Sequence, residues 1–301
     1  MLKIAYHPIY KYALPEGHRF PMAKYNLLPE YLLSNGICTK DNFFKPQKIS
    51  EDIILKVHDK NYYHRLLTLE LDKKEIRRIG FPLRKDLVER GHYIIGGTIE
   101  GCKFAMQHGI SLNIAGGTHH AYADRGEAFC LLNDQAVAAQ YLLDLEKVSK
   151  ILIVDLDVHQ GNGTAKIFEN NPNVFTFSMH GAKNYPFKKE KSDLDIGLED
   201  GTEDVEFLTI LKSTLPMLIN KVKPNFIFYL SGVDILKNDK LGRLSCTLEG
   251  CAERDHFVFR TCKEHGIPVQ VSMGGGYSPD IDMIITAHGN TYKMAQEVFF
   301  K

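Results

Sequence analysis

The 301-residue sequence has no tryptophan and no net charge, its 37 Lys and Arg balancing its 37 Asp and Glu. With no global field to draw the chain onto nucleic acid or an anionic membrane, a dedicated binder of either is not expected. No apolar run reaches the ~18 residues that a membrane span needs. The N-terminus, Met1-Leu-Lys-Ile-Ala-Tyr-His-Pro8, alternates like a first strand and lacks the basic start, apolar stretch and cleavage site of a signal peptide. Six cysteines (Cys38, Cys102, Cys130, Cys246, Cys251, Cys262) are scattered without a C-x-x-C pair, which argues against a disulfide scaffold or a structural zinc cluster. We expect reduced, packed thiols. Internal repeats, low-complexity tracts and Gly/Ser linkers are also missing. These absences leave the expectation of a soluble, cytoplasmic protein with one domain, residues 1–301, and 44% hydrophobic residues suffice for a sizeable core.

What is present is an alternation of short β-rich runs with longer helical patterns. The runs are Lys3–Tyr6, Leu112–Ala115, Ile151–Val158, Val174–Met179, Phe226–Leu230 and Val269–Met273. Between them, Asp86–Gln107, Asn133–Val148, Asp204–Lys221, Leu248–His265 and Asp282–Phe299 carry helical periodicity. Asn133-Asp134 can cap the second helix, Gly266-Ile-Pro268 stops the fourth, and Pro216 predicts a kink or break in the third. This is the pattern of a single three-layer α/β domain, a mostly parallel central sheet with helices on both faces.

Four segments turn from apolar to chemically capable residues at the carboxyl end of a strand: Ile114-Ala-Gly-Gly-Thr-His119-His120, Ile151-Leu-Ile-Val-Asp155-Leu-Asp157-Val-His159, Phe226-Ile-Phe-Tyr-Leu-Ser-Gly-Val-Asp234 and Val271-Ser-Met-Gly-Gly-Gly-Tyr277. In an open α/β sheet the ligand crevice lies outside those ends, so the four segments are expected to converge. Strand alternation would put Asp155, Asp157 and His159 on one face. Carboxylates entering so apolar a run cost several kcal/mol each unless cations or hydrogen bonds compensate. A divalent metal with Asp234 as third ligand meets that need, and one imidazole with two carboxylates suits zinc, iron or cobalt better than calcium or magnesium. The alternatives are a strand that has reached solvent, carboxylates that accept loop N–H groups, or an Asp234 that only forms a turn. The His119-His120 pair could supply a general base and a charge stabiliser, or be plain surface. Tyr277 could donate to an oxyanion or act as a core lid, and Gly274–Gly276 could be a phosphate loop, although no G-x-G-x-x-G pattern accompanies it.

Together these segments resemble the zinc-dependent histone deacetylase family and its bacterial deacetylase-like and acetylpolyamine amidohydrolase relatives. The matching stretches run from Val57-His-Asp-Lys-Asn-Tyr62 through Ala115–Ala121, Ala128-Phe-Cys-Leu-Leu-Asn-Asp134, Asp155–Thr164 and Gly232-Val-Asp234 to Gly274-Gly-Gly-Tyr277. Asp124-Arg-Gly126, Gly201-Thr-Glu-Asp204, the Asp234–Gly242 segment and Arg254–Arg260 are most similar to the class IV branch. The resemblance implies the arginase/deacetylase-like fold and one zinc held by Asp157, His159 and Asp234. It implies His119 and His120 as the tandem histidines, His120 being the general base, with Asp155 orienting His119 and Tyr277 clamping the carbonyl. It also implies a structural potassium held by Asp155, the backbone of Asp157 and His159, Ser178 and Met179. Phe129, Tyr185, Leu241 and Gly275 match the walls and rim of an acyl-lysine tunnel.

Where many relatives place an Asp beside the second histidine, this chain has Asn162. A neutral partner stabilises an imidazolium less, so the pKa of His120 should be lower than in those relatives. The expected activity is removal of an acyl group, acetyl or by class IV analogy a long fatty chain, from the ε-amine of lysine in a peptide or protein. A small acyl-amine such as an acetylpolyamine is the rival substrate, and a silent acyl-lysine binder the rival of another class. A two-manganese arginase-type centre is set aside because its extra carboxylate positions are Gly161 and Leu236.

Overall fold

The computed structural model describes all of residues 1–301. Eight strands form one sheet: β1 (Lys3–Ala5), β2 (Phe43–Phe44), β3 (Ile110–Asn113), β4 (Ile151–Asp155), β5 (Val174–Gly181), β6 (Leu194–Leu198), β7 (Phe226–Leu230) and β8 (Val269–Ser272). Their order across the sheet is β2-β1-β3-β8-β7-β4-β5-β6, with every pairing parallel. Ten helices connect and cover them: α1 (Lys24–Ser34), α2 (Glu51–Ile54), α3 (Lys60–Thr68), α4 (Lys73–Ile79), α5 (Lys85–His108), α6 (Asp134–Asp144), α7 (Asn162–Phe168), α8 (Asp204–Val222), α9 (Leu248–Glu264) and α10 (Ile281–Phe300). The expected α/β architecture is the one observed.

The central strands β3, β4, β7 and β8 are buried at every position; β4 and β7 read as near-continuous apolar runs, as a parallel sheet covered on both faces allows, while β3 and β8 alternate apolar residues with the buried polar Ser111, Asn113, Gln270 and Ser272. They belong to a contiguous core of 78 buried apolar residues. These four strands are neighbours in the order β3-β8-β7-β4, so the loops after them open side by side at the carboxyl edge. That adjacency positions the site.

Helix ends follow local chemistry. The Asn133 side chain accepts the Ala136 N–H at 3.0 Å and caps α6, and Gly266 follows the end of α9 with a left-handed φ of 63°. All six cysteines are free and buried. No helix is long and apolar enough to cross a membrane.

Two local expectations need correction, and several elements went unread. Helix α8 runs through Pro216 without a break. The carbonyl freed by the missing N–H belongs to exposed Lys212, where water can satisfy it. Strand β4 stops at Asp155, so Asp157 and His159 are gathered by a turn rather than by strand alternation. The edge strands β2 and β6 and the helices α1, α3 and α4 were not foreseen: β2 has two residues, β6 is largely half-buried, α1 carries Pro29 inside it, and α3 and α4 are only nine and seven residues long, α3 being amphipathic with Tyr62, Tyr63 and Leu66 buried.

Candidate active site

The turn after β4 is built by its own carboxylates. Asp155 accepts the Asp157 N–H at 3.1 Å and Asp157 accepts the His159 N–H at 3.0 Å, so each acid folds the next two residues back over the strand end. Asp157, His159 and Asp234 thereby converge, all buried, with one potential ligand atom from each lying within 4.8 Å of the others. Asp157 is steadied by the Gly275 N–H at 2.8 Å and Asp234 by the Val158 N–H at 3.1 Å. Asp234 Oδ2 lies 3.2 Å from His159 Nδ1 but has no hydrogen-bond partner of good geometry. A buried carboxylate oxygen left in this state is costly.

Electrostatics point the same way. Burial, and then the neighbouring Asp157 carboxylate, push the Asp234 pKa up to about 7. Burial opposes a charge on His159, yet its hydrogen bond to Asp157 and the close Asp234 carboxylate override it and raise the imidazole to about 10. Two carboxylates that pull a proton this strongly onto a shared imidazole form a cation site. One imidazole, two carboxylates and an orphaned oxygen aimed among them fit a divalent metal.

The glycines let the loops close around this point. Gly117 has φ 73°, and a side chain there would meet the Gly274 backbone. A Cβ on Gly275 would overlap Asp234 Oδ2. The Gly274–Gly276 turn therefore serves close approach to the carboxylates. Gly275 lines the inner cavity, but its N–H is spent on Asp157 rather than directed at a substrate.

His119 and His120 are buried with ring centroids 4.1 Å apart, so they are not plain surface. The Nδ1 of His119 donates to Asp155 Oδ2 at 2.7 Å, and although burial lowers its pKa, the Asp155 carboxylate raises it above the usual value. His120 is tied to Asn162 Oδ1 at 2.6 Å. Asn162 Nδ2 donates to the Tyr122 hydroxyl at 3.0 Å, which fixes the amide orientation and makes His120 Nδ1 the donor. The Nε2 lone pair of His120 is thereby free. Burial, then the charges of His119 and His159, hold the His120 pKa well below 6.5, so the ring is neutral at pH 7. Burial is the largest cause, and the hydrogen bond to Asn162 works against it.

Tyr277 stands across the cluster from the histidine pair, its ring 6.3 Å from that of His159, and burial together with the Asp234 and Asp157 charges keeps its phenol protonated. Phe129 packs 5.9 Å from Tyr277, and Tyr185 stands perpendicular to His120 at 5.0 Å. Both Ala128 and Phe129 adopt positive φ, 43° and 70°, a strained conformation held by N–H bonds to Arg78 and Ile79 of α4. Leu241 sits at the mouth, its N–H on Asp239 and its carbonyl on Asn184. Ser178 is register partner of Asp155 across β4 and β5, and its hydroxyl pairs with His180 at 2.9 Å; Met179 follows it, fully buried.

Three site residues escaped the sequence reading. Asp239 accepts the Tyr277 N–H at 2.5 Å and the Leu241 and Gly242 N–H groups, tying the Tyr277 segment to the loop that carries Leu241. Asp134, which looked like a helix cap, instead holds Thr118, Thr98 and Ser272 and so braces the loop carrying the histidines. Lys24 is fully buried behind the glycine turn, donating to the Gly274 carbonyl at 3.2 Å among the rings of Phe20, Tyr25 and Tyr277. Nothing in sequence distinguishes it from a surface lysine.

Residues 18–290 match the model of the histone deacetylase domain. The chain belongs to the histone deacetylase family. A protein of Picosynechococcus sp. is 42% identical over 296 residues, covering 98% of this chain and 99% of its own length. Histone deacetylase 2 of Arabidopsis thaliana is 30% identical over 86% of this chain and 70% of that protein. Acetoin utilization protein AcuC of Staphylococcus aureus is 27% identical over 88% and 74% respectively. The crystal structure of the HDA15 HD domain superposes with a TM-score of 0.80 at 17% identity, covering 98% of this chain and 95% of that one, which speaks for the fold. The reaction class of this histone deacetylase relative is hydrolytic deacetylation of amides.

Proposed function

We propose that the chain is a zinc-dependent hydrolase that removes an acetyl or other short acyl group from the ε-amine of lysine in a peptide or protein. The observation that carries this is the buried Asp157, His159 and Asp234 cluster set between a free His120 Nε2 and the Tyr277 phenol. Zinc bound there would supply Lewis-acid activation of the amide carbonyl and of water. The protein's own groups then manage charge and protons. His120 takes the proton of the attacking water at Nε2 and returns it to the leaving amine, while Asn162 holds the ring in the tautomer that permits this. The Tyr277 O–H donates to the carbonyl oxygen as negative charge builds there. His119, held by Asp155, adds a second donor on the histidine side. Phe129 and Tyr185 wall the lysine stem, with Leu241 at the rim. A potassium ion held by Asp155, the backbone of Asp157 and His159, Ser178 and Met179 belongs to the same proposal and would stiffen the turn after β4.

Chain length of the acyl group follows from space. The inner cavity at the metal cluster, lined by Asp157, His159 and Tyr277 and also by Arg90, Ile94 and Gly116 to Thr118, has a volume of about 40 Å³. That is room for a methyl or a short chain, whereas larger ligands occupy pockets of roughly 300 Å³ and more. The size favours acetyl over the long fatty chain suggested by class IV analogy. Comparing acetyl-lysine and myristoyl-lysine peptides, with the metal stripped and then restored as zinc, tests both parts. Zinc-restored hydrolysis with acetyl preferred is expected. Full activity after verified metal removal refutes the metal mechanism, and preferred myristoyl turnover refutes the acyl assignment.

A further inference from the structure

Outside the metal cluster the site opens into a wider cavity of about 510 Å³. Its rim carries five cationic side chains, Arg19, Arg78, Lys183, Lys240 and Arg243, and no Asp or Glu lines it. The five come from four separate segments: the stretch before α1, α4, the segment after β5, and the loop between β7 and α9, which carries both Lys240 and Arg243. Lys183 and Arg243 have acidic company outside the cavity, at 3.5 Å from Glu199 and 3.2 Å from Asp200 respectively. Arg19 faces the Phe129 ring at 5.1 Å and, like Arg78 and Lys240, has no ion-pair partner. Two carboxylates close to cavity-lining residues are occupied elsewhere: Glu127 takes the Tyr185 hydroxyl and Arg125, and Asp239 takes three backbone N–H groups. In a chain of zero net charge, this is a local concentration of positive charge at the one place a substrate must pass.

We infer that the rim selects acyl-lysine substrates flanked by acidic residues and rejects cationic ones, polyamine-like amines included. The inference rests on the lysine deacylase reading above and names the surroundings of the lysine that reading leaves open. An extended peptide with its acyl-lysine in the tunnel must lay its neighbouring residues across this rim, where carboxylates would meet unpaired guanidinium and ammonium groups and a second set of cations would be repelled. The charges are largely solvent-exposed, so the selection works through encounter and weakens as salt shortens the ~8 Å screening length.

The test uses the zinc-loaded full chain and three acetyl-lysine peptides of equal length whose flanking residues are Glu, Gln or Lys, with an N-acetylated polyamine as a fourth substrate. We expect kcat/KM to fall in the order Glu, Gln, Lys, with at least about a tenfold span between the extremes at low salt and a smaller span at high salt. Arg78→Gln combined with Lys240→Gln should shrink the Glu-to-Lys ratio, which is read within one protein and so is not mimicked by a general loss of activity. Equal rates on all three peptides, a preference for the Lys peptide or the polyamine, or an unchanged ratio in the double variant overturns the inference while leaving the deacylase reading in place. A zinc-loaded enzyme inert on every peptide but active on the polyamine overturns both, and one inert on all four substrates refutes the deacylase reading and the rim selection with it.

Discussion

Asn162→Asp isolates the electrostatics of the proposed base. The amide oxygen of Asn162 lies 2.6 Å from His120 Nδ1, so the substitution puts a carboxylate on an existing hydrogen bond with almost no change of shape. With charge centres about 4 Å apart and an effective dielectric near 20, the attraction to a protonated His120 is about 4 kcal/mol, or about three pKa units. The buried carboxylate resists its own ionisation, and the Tyr122 hydroxyl, which accepts from Asn162 and donates to Glu190, would have one hydrogen for two acceptors. A rise of about one to three units is therefore expected. The sign matters for the assay. A base must be unprotonated, and the wild-type imidazole is held well below 6.5 by burial and by the charges of His119 and His159. A metal ion in place of the proton on His159 keeps positive charge beside His120, so the direction stands. The acid limb of kcat/KM should lie below pH 6.5 in the wild type and move up by about one to three units in the variant. Nitrogen NMR of the histidine rings should report the same displacement. An unmoved acid limb in a folded, metal-loaded variant would refute His120 as the base.

Tyr277→Phe should reduce kcat by about a hundredfold or more while metal content, read by atomic spectroscopy, stays at the wild-type level; near-normal turnover removes the clamp role. Gly275→Ala places a methyl group against Asp234 Oδ2, so metal affinity should drop at least about tenfold by competition with a chromophoric chelator, and unaltered affinity would show that the turn can yield. Lys24→Met probes the buried ammonium. Burial lowers the Lys24 pKa from 10.5 to about 8, against the opposing pull of Asp234 and Asp157. Between those pH values the unfolded chain binds the proton that the folded one releases, so wild-type stability gains about 3 kcal/mol from this group as pH rises from 8 to 10.5. Urea midpoints across that window should show the rise in the wild type and its loss in Lys24→Met; parallel curves would refute it.

The parts of the site visible in sequence share one property: they follow strands buried on both faces. An apolar run such as Ile151–Val154 leaves little ambiguity about where the strand lies, and polar residues just beyond it stand out because burial there is costly. Edge strand β6 gave no such contrast, α1 carries a proline within it, and α3 and α4 are too short, at nine and seven residues, for their periodicity to stand out. Asp239 and Asp134 were ambiguous for another reason. A short acid beside a turn or helix start looks the same whether it caps its own element or braces another, and only the positions of Tyr277, Thr98 and Ser272 reveal the longer reach.

By itself the sequence determined the α/β class, the four strand ends that carry the chemistry and the family, because covalent order and residue type are enough to specify them. Tertiary structure decided what depends on through-space distance. It drew Asp155, Asp157 and His159 together through a turn rather than a strand face, it buried Lys24 behind the glycines, and it limited the inner cavity to about 40 Å³. It also assembled the cationic rim. Arg19, Arg78, Lys183 and Lys240 are far apart along a chain whose charges cancel, and only the folding of their segments around one opening turns a neutral composition into a local field.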